Sequence, residues 1–539
     1  MTLAKHDSYD IVVVGTGAAG TAASLKAAQH GASVLLLEKG RHTGGSSNYT
    51  EGLFAIDSYL QKAQNINVSA TDVLKEEVDY SKYRADSRIW RRYLDDSANT
   101  VQWLKDQGVE YEGVQAMGAG EATWHIYKGM GQAVLHDALQ PQAQKLGVEL
   151  LTSTTATTLH QATDGAITGV TIQSAATNET QVINTAAVIL ATGGYLNNPD
   201  MMKKLTHYDT HRLIPVSSGK GTGDGLRLAW QAGAQQYGTG MAMLFGGYLK
   251  DPSEPSFKYM ASQMETAAGQ QPLLWLNEHG ERFVDEAVVY NFSYAGNALY
   301  TQNQVFSILD QGVINKMAQD GNFMGLGVYV RRGEKMTKLQ AEIDAAVAAN
   351  KPFIFKADTI EALATKMHLP VDQVTHSIQT YNQYCDNGQD DDFGKNPEYL
   401  VKVSQGPFYG FELNVGAFCT MGGLKVTTNN EVLDTTGQPI TGLYAAGSDA
   451  AGLTGDTRMV LTCLEPVLAT PSTLDAIPVG TQRNTRTSSQ SLVINPLFIN
   501  LKRPSRKLSG KVVLGCLHID TLMGSLVTTN FAATSQVNR

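Results

Sequence analysis

The stretch Asp10–Gly20 constrains the fold of this 539-residue chain more than any other part of it. Four apolar residues, Ile11–Val14, predict a short buried strand. Gly15, Gly17 and Gly20 follow at G-x-G-x-x-G spacing, before an alanine-rich run that suits a helix. In such a unit the first glycine permits a tight turn, the second lets the backbone approach a pyrophosphate, and the third lets the helix pack on the strand. The stretch therefore predicts a dinucleotide-binding unit.

A second predicted strand, Ser33–Leu37, ends in an acidic residue, Glu38. A carboxylate at this point accepts hydrogen bonds from both hydroxyls of an adenosine ribose and repels a 2′-phosphate. A glycine turn with no ligand is the alternative, and the spacing of the acid from the glycines disfavours it. We therefore expect a cofactor with an unphosphorylated adenosine ribose.

Further glycine-rich segments follow in order. Residues 39–55 form a loop of glycine and small hydroxyl residues that could wrap a flat polar ring, or be an ordinary surface loop. A strand at 187–190 runs into a glycine turn, the glycines at 219–225 precede a helix at 226–234, and another strand ends in glycine at 447. These features suit strand ends and helix N-termini gathered around one cofactor.

Composition narrows the class of protein. Hydrophobic residues make up 42% of the chain and charged residues 17%, as in globular proteins, and the net charge of −9 argues against a nucleic-acid partner. No apolar run suggests a signal peptide or a membrane span, and the four cysteines form no C-x-x-C pair. We expect two or three domains, a cytoplasmic location, no membrane association and no metal.

The middle of the chain is less informative. Residues 70–140 suit helices, residues 148–175 suit a β-meander, and 236–405 reads as an inserted domain that begins with methionines and aromatic residues. His125 interrupts the helical pattern. It could face a substrate, although a satisfied, partly buried histidine is the more common case.

The chain resembles the soluble flavoproteins of the fumarate reductase and succinate dehydrogenase family, which includes the 3-ketosteroid Δ1-dehydrogenases. The resemblance covers roughly residues 8–457. The motifs that carry it are Val14–Gly20, Gly44–Asn48, Ala191–Gly194, Gly221–Gly225, Gly280–Glu286, Thr420–Gly423 and Tyr444–Gly447. It implies an α/β fold, a Rossmann-type FAD-binding domain (1–235 and 406–457) with an inserted α+β capping domain (236–405).

The resemblance also implies FAD as cofactor and a set of residues that bind it. These are Gly15, Gly17, Ala18, Ala19, Gly20, Glu38, Lys39, Gly44, Gly45, Ser46, Ser47, Asn48, Gly52, Ala191, Thr192, Gly193, Gly194, Asp224, Gly447, Ser448 and Asp449.

The reaction implied is hydride transfer between the flavin and one carbon of an activated C=C bond, with a proton exchanged at the other carbon. Arg282 matches the proton-donating arginine of fumarate reductases, and Glu286 or Asp285 is a candidate relay. A guanidinium rarely releases its proton. The alternative role for Arg282 is a structural ion pair with those acids.

The departures from the family argue against fumarate as the substrate. Phe418 and Cys419 replace histidines that bind a substrate carboxylate, Ser448 replaces a glutamate, and His42 is not at the usual position for covalent flavin attachment. We expect a larger, more apolar substrate with a C=C bond conjugated to a carboxylate or ketone, and an electron donor that the sequence does not identify. The alternatives are a 3-ketosteroid Δ1-dehydrogenase and an inactive relic.

The family pattern ends at Thr457. Residues 458–539 carry nine basic and three acidic residues, a net charge of +6, whereas the whole chain carries −9. Reverse translation of this segment in another frame permits the expected family ending, with its P-G-T turn and N-S-G-R helix. We therefore predict a one-base frameshift near codon 457 or 458 and a largely disordered tail at 458–539.

Overall fold

The computed structural model describes residues 3–116, 121–255, 258–326 and 330–453. The predicted tail at 458–539 and the frameshift lie outside these residues. The strands are β1 (Ser8–Val14), β2 (Val34–Leu37), β3 (Gly52–Phe54), β4 (Tyr111–Gln115), β5 (Trp124–Tyr127), β6 (Glu149–Leu151), β7 (Thr154–Gln161), β8 (Ile167–Ser174), β9 (Thr180–Leu190), β10 (Leu213–Pro215), β11 (Gln236–Tyr237), β12 (Ala242–Tyr248), β13 (Leu274–Asn277), β14 (Val305–Asp310), β15 (Ile354–Ala357), β16 (Phe408–Thr420), β17 (Gly423–Leu424), β18 (Glu431–Leu433) and β19 (Pro439–Ala445).

The α-helices are α1 (Ala18–Gln29), α2 (Tyr59–Ala63), α3 (Ala70–Tyr80), α4 (Ser87–Asp106), α5 (Met130–Ala133), α6 (Gln140–Lys145), α7 (Pro199–Leu205), α8 (Asp224–Gln231), α9 (Gln263–Gly269), α10 (Phe292–Tyr300), α11 (Gln311–Asp320), α12 (Leu339–Ala348), α13 (Ile360–Lys366) and α14 (Val371–Asn387). Short 3₁₀ turns include Gly45–Tyr49, Glu286–Tyr290 and Gly447–Asp449.

The first sheet has eight strands, and its centre is parallel. β1 pairs in parallel with β2 and β9, and β19 continues the parallel order beyond β9. Val14 is level with Leu37 on one side and with Leu190 on the other. The residues that follow these strands therefore meet at one edge of the sheet, where open α/β folds bind their ligands.

The apolar run of β1 is explained by burial on both faces. Residues 11–14 are buried, and α1 packs its alanines against the sheet. A parallel strand covered on both sides needs such a continuous apolar run.

The second sheet has six strands built around β16. β14 and β15 pair with its first half, and β10 and β12 with its second half. The predicted domain boundaries stay a prediction. The second sheet takes strands from both sides of each boundary, because β10 ends before residue 236 and β16 begins after residue 405.

The structure confirms only part of the secondary structure predicted between residues 70 and 175. The meander is present in part: β7 and β8 pair antiparallel and β9 continues them, whereas β6 pairs in parallel with β2. The predicted helical stretch is interrupted after α4 by β4 and β5, which form a small sheet with β3, and helix resumes at α5. His125 lies in that sheet, fully buried. Its Nε2 is 2.6 Å from Ser58 Oγ and its Nδ1 is 2.9 Å from the Thr123 carbonyl. Burial lowers its pKa to about 4, so the ring is neutral and its polar atoms are satisfied within the protein.

No helix in the part of the chain that the structure describes is both long enough and apolar enough to cross a membrane.

Candidate functional site

A cavity opens at the edge of the first sheet where β1, β2 and β9 end. Gly15, Glu38 and Ala191, each directly after one of these strands, all line it. This follows from the register, since the three preceding residues lie side by side across the sheet. Segments distant in sequence thus converge on one site.

The turn after β1 has no room for a side chain at Gly15, and the start of α1 has none at Gly20. Gly15 has a φ of 107°, and a Cβ there would lie 2.2 Å from the Ala191 carbonyl oxygen. A Cβ on Gly20 would lie 1.8 Å from the Gly15 carbonyl oxygen, so this glycine lets α1 approach the strand. Gly17 is the N-cap of α1 and offers no capping side chain, while the next amide, that of Ala18, donates to Ser47 Oγ at 3.0 Å.

Glu38 is 5% exposed and held in one orientation. Thr16 Oγ1 donates to one carboxylate oxygen at 2.5 Å, the Gly40 amide donates to the other at 2.8 Å, and Lys220 Nζ lies 3.4 Å from the latter. The carboxylate is therefore preset at the cavity wall, which suits recognition of a ribose.

Lys39 and Asp224 form a second ion pair at the cavity. Lys39 Nζ lies 2.6 Å from an Asp224 carboxylate oxygen and donates to Thr222 Oγ1 at 2.5 Å. The pair joins the end of β2 to the start of α8, so the glycine segment at 219–225 contributes to the same cavity.

Asp449 positions the loop after β9. It accepts hydrogen bonds from the Thr192 amide at 2.5 Å, from Thr192 Oγ1 at 2.8 Å and from the Gly194 amide at 2.9 Å. Burial raises its pKa, and these donors act against that shift. Asp449 thus supports the cavity from behind and is not part of its lining.

The predicted cofactor residues fall into two groups. Those that line the cavity are Gly15, Gly17, Ala18, Ala19, Glu38, Lys39, Gly45, Ser46, Ser47, Ala191, Thr192, Gly193, Asp224, Gly447 and Ser448. Those outside the lining are Gly20, Gly44, Asn48, Gly52, Gly194 and Asp449.

Members of the second group shape the surrounding backbone. A Cβ on Gly44 would meet the Asn48 side chain at 2.0 Å, and Asn48 Oδ1 accepts a hydrogen bond from His136 Nε2 at 3.0 Å. A Cβ on Gly52 would lie 2.3 Å from the His125 carbonyl oxygen.

Sequence reasoning missed part of the lining. Asn197, Ser217, Ser218 and Lys220 line the cavity, and of these Lys220 lies within the glycine segment at 219–225. The second sheet supplies residues 418–422 from the end of β16. The glycine-rich turn there was the available signal.

Arg282 and Glu286 are not among the residues that line this cavity. Arg282 makes two bidentate ion pairs with all four contacts at 3.0 Å, one to Glu286 and one to Asp390. Lys395 Nζ lies 3.1 Å from Glu286, and all four side chains are at most 5% exposed. This geometry has the form of the structural ion pair, and the catalytic role stays a prediction.

Electrostatics within the cluster hold Arg282 in its charged form. Burial opposes the charge, but the hydrogen bonds to Asp390 and Glu286 outweigh it and raise the pKa above its ordinary value. The guanidinium also lies 5.0 Å from the ring centroids of Tyr381 and Phe393. Proton release from this group is therefore less favourable than from a free arginine.

The residues at the cavity fit an FAD molecule. A turn without a Cβ at residues 15 and 17 and a helix N-terminus suit a pyrophosphate, and a preset carboxylate suits an adenosine ribose. The family described as "FAD binding domain" matches residues 10–459. The chain belongs to this family, and FAD is its cofactor.

Relatives narrow the class further. The chain is 98% identical over 457 residues to the vinyl phenol reductase of Lactiplantibacillus plantarum, covering 85% of this chain and 93% of that protein. It is 27% identical over 468 residues to a fumarate reductase (cytochrome) of Shewanella frigidimarina, covering 85% of this chain and 74% of that protein. The chain is an FAD-dependent reductase of the fumarate reductase family that acts on C=C bonds.

The fold is also that of a solved 3-ketosteroid Δ1-dehydrogenase from Sterolibacterium denitrificans. The TM-score is 0.72 at 18% identity, over 88% of this chain and 99% of that one. Likeness at this identity concerns the fold alone. The alternatives of a ketosteroid dehydrogenase and of an inactive relic are not favoured.

Proposed function

We propose that this chain reduces the vinyl C=C bond of a vinyl phenol, with FAD held by the lining residues at the edge of the first sheet. The observation that carries the proposal is the uncharged wall that residues 418–422 of the second sheet present to the cavity. The 98% identity to a vinyl phenol reductase supports the same substrate class. A cytoplasmic location, expected from the sequence, and an electron donor that the sequence does not identify remain parts of the proposal.

The chain's own residues bind and orient in this proposal. Glu38 orients the adenosine ribose, and the turn at Gly15 and Gly17 leaves space for the pyrophosphate. The Lys39–Asp224 ion pair holds the end of β2 against the start of α8 at the cavity wall. When bound and reduced, FAD supplies a hydride, and a proton completes the second carbon.

A vinyl phenol differs from the substrate that the sequence led us to expect. Its C=C bond is conjugated to a hydroxylated ring and not to a carboxylate or ketone. Such a substrate is neutral and mostly apolar, so it needs no cation for binding. Transfer of apolar surface from water into the cavity supplies much of the binding free energy.

The test is an anaerobic reoxidation screen. Holoenzyme is reduced with dithionite and mixed with 4-vinylphenol, fumarate or urocanate, while the flavin absorbance is followed. We expect rapid return of the oxidised spectrum with 4-vinylphenol and little with the two carboxylates. Faster reoxidation by fumarate would overturn the proposal. Bleaching of oxidised holoenzyme by a 3-ketosteroid would instead support the dehydrogenase alternative.

A further inference from the structure

Three phenylalanines form a cluster at the second-sheet wall of the cavity, hereafter the aryl cluster: Phe245, Phe292 and Phe418. The rings of Phe245 and Phe292 are stacked, with centroids 4.5 Å apart and planes 25° apart. Phe418 meets Phe245 edge-on, with centroids 4.7 Å apart and an angle of 67°. Both arrangements are favourable for aromatic pairs.

Only Phe418 of the three lines the cavity. Phe245 and Phe292 are each 8% exposed and stand behind it, whereas Phe418 is half-buried. A half-buried ring at a cavity wall has one surface free for a ligand, and the orientation of Phe418 is set by the buried ring of Phe245 that it contacts.

The fold places the aryl cluster through long-range packing. Phe245 lies on β12 opposite Gly416 of β16, and Phe418 lies two residues further along β16. Phe292 begins α10, which packs on β12. A Cβ on Gly296 of that helix would lie 2.7 Å from the Leu244 side chain and 2.8 Å from the Phe245 amide. The close approach of α10 fixes the stacked pair.

The charged side chains that line the cavity form ion pairs with one another. Among the described lining residues, the acidic and basic side chains are Glu38, Lys39, Lys220 and Asp224. Lys220 lies 3.4 Å from Glu38 and Lys39 lies 2.6 Å from Asp224, so these charges are paired with one another. A carboxylate placed against Phe418 would lose its hydration without gaining a cation, which is costly.

We propose that Phe418, backed by Phe245 and Phe292, is the specificity-determining residue that receives the uncharged aryl ring of the substrate and excludes carboxylates. This inference rests on the proposed reduction of a vinyl phenol. The ring of the substrate packs on Phe418, and the stacked pair behind it keeps Phe418 in place.

The experiment compares three variants in full-length holoenzyme at saturating FAD. Phe418→Leu removes the aromatic ring, Phe418→Tyr keeps it, and Phe355→Leu is a matched control. Phe355 is also half-buried and in the second sheet, but it is not among the residues that line the cavity. The readouts are the flavin-to-protein ratio, the Kd of 4-ethylphenol by calorimetry, and kcat and KM for 4-vinylphenol.

We expect Phe418→Leu to weaken 4-ethylphenol binding by about tenfold, equivalent to about 1.4 kcal/mol, and to raise KM for 4-vinylphenol similarly, because the aromatic contact and some apolar area are lost. Flavin content should be unchanged. For Phe418→Tyr and Phe355→Leu, the Kd of 4-ethylphenol and the KM for 4-vinylphenol should stay within about threefold of the values of the parent protein, because neither substitution removes the aromatic ring at position 418.

Unchanged 4-ethylphenol binding in Phe418→Leu overturns the inference, as does an equal loss in Phe355→Leu. Failure of the proposed function would give a different experimental result. In that case the parent protein does not turn over 4-vinylphenol, whereas 4-ethylphenol still binds and its binding still depends on the ring at position 418.

Discussion

At the scale of single residues, the ion pairs of Arg282 bear on the proton-donating role that its sequence motif suggests. Its guanidinium is shared between Glu286 and Asp390, and Lys395 forms a further ion pair with Glu286. The four side chains form a neutral buried cluster that joins the 3₁₀ turn at Glu286–Tyr290 to the segment after α14. Removing one member of such a cluster leaves uncompensated buried charge.

We predict that Arg282→Lys lowers the free energy of unfolding by about 3 kcal/mol, because lysine cannot form the two bidentate pairs. With a purely structural role, which its place outside the cavity lining favours, Arg282→Lys should change the flavin-to-protein ratio and, well below the melting temperature, kcat for 4-vinylphenol by less than about threefold. Urea unfolding and steady-state kinetics measure the two effects. Arg91→Lys, in an exposed pair with Asp95, is the control for the substitution itself. A loss of kcat by a hundredfold or more with unchanged stability would favour the proton-donor role.

At the scale of elements, the level ends of β1, β2 and β9 create the site. Gly15 lies where the turn after β1 contacts the turn after β9, and the two backbones can meet only because residue 15 has no Cβ. Gly31, just after α1, also has a positive φ, 86°, but a Cβ there would meet nothing within 4 Å. Substitution at Gly31 tests the effect of a positive φ alone on stability, whereas substitution at Gly15 tests a positive φ together with close packing.

We predict that Gly31→Ala costs about 1 kcal/mol of stability, the penalty for a left-handed alanine. Gly15→Ala should cost about 3 kcal/mol or more, because the turn must also move away from Ala191. Only Gly15→Ala should release FAD. Urea unfolding and the flavin-to-protein ratio after gel filtration test this. Equal stability losses, or retained flavin in Gly15→Ala, would contradict the account.

At the scale of the whole molecule, the frameshift near codon 457 or 458 stays a prediction. The match to the vinyl phenol reductase extends over 457 residues, and the basic segment at 458–539 follows the acidic remainder of the chain. The family ending that we expect there includes a helix whose N-terminus faces the flavin and stabilises negative charge on it.

We therefore predict that the chain with its frame restored binds FAD more tightly and turns over faster than the chain as it stands, because the restored helix would add contacts to the flavin. The two versions are compared by flavin-to-protein ratio and by turnover of 4-vinylphenol. Genomic DNA around codon 457 provides the independent check. Equal flavin content and equal turnover in the two versions would refute the prediction.

The sequence by itself determined the local parts of this protein. The strand before Gly15, the glycine turn, the start of α1 and the acid after β2 are patterns within short windows, because a turn or a buried parallel strand restricts its own residues. The family and the cofactor followed from these motifs in order.

Only the tertiary structure decided which distant residues meet. Asp390 lies 108 residues from Arg282 in the sequence, yet it forms one of the two bidentate ion pairs of that guanidinium. Phe245 contacts Phe418 across β12 and β16, which pair only in the folded chain. No local pattern encodes such contacts, because they depend on how sheets and helices pack. For the same reason His125 could be assigned to the interior only once Ser58 and Thr123 were seen beside it.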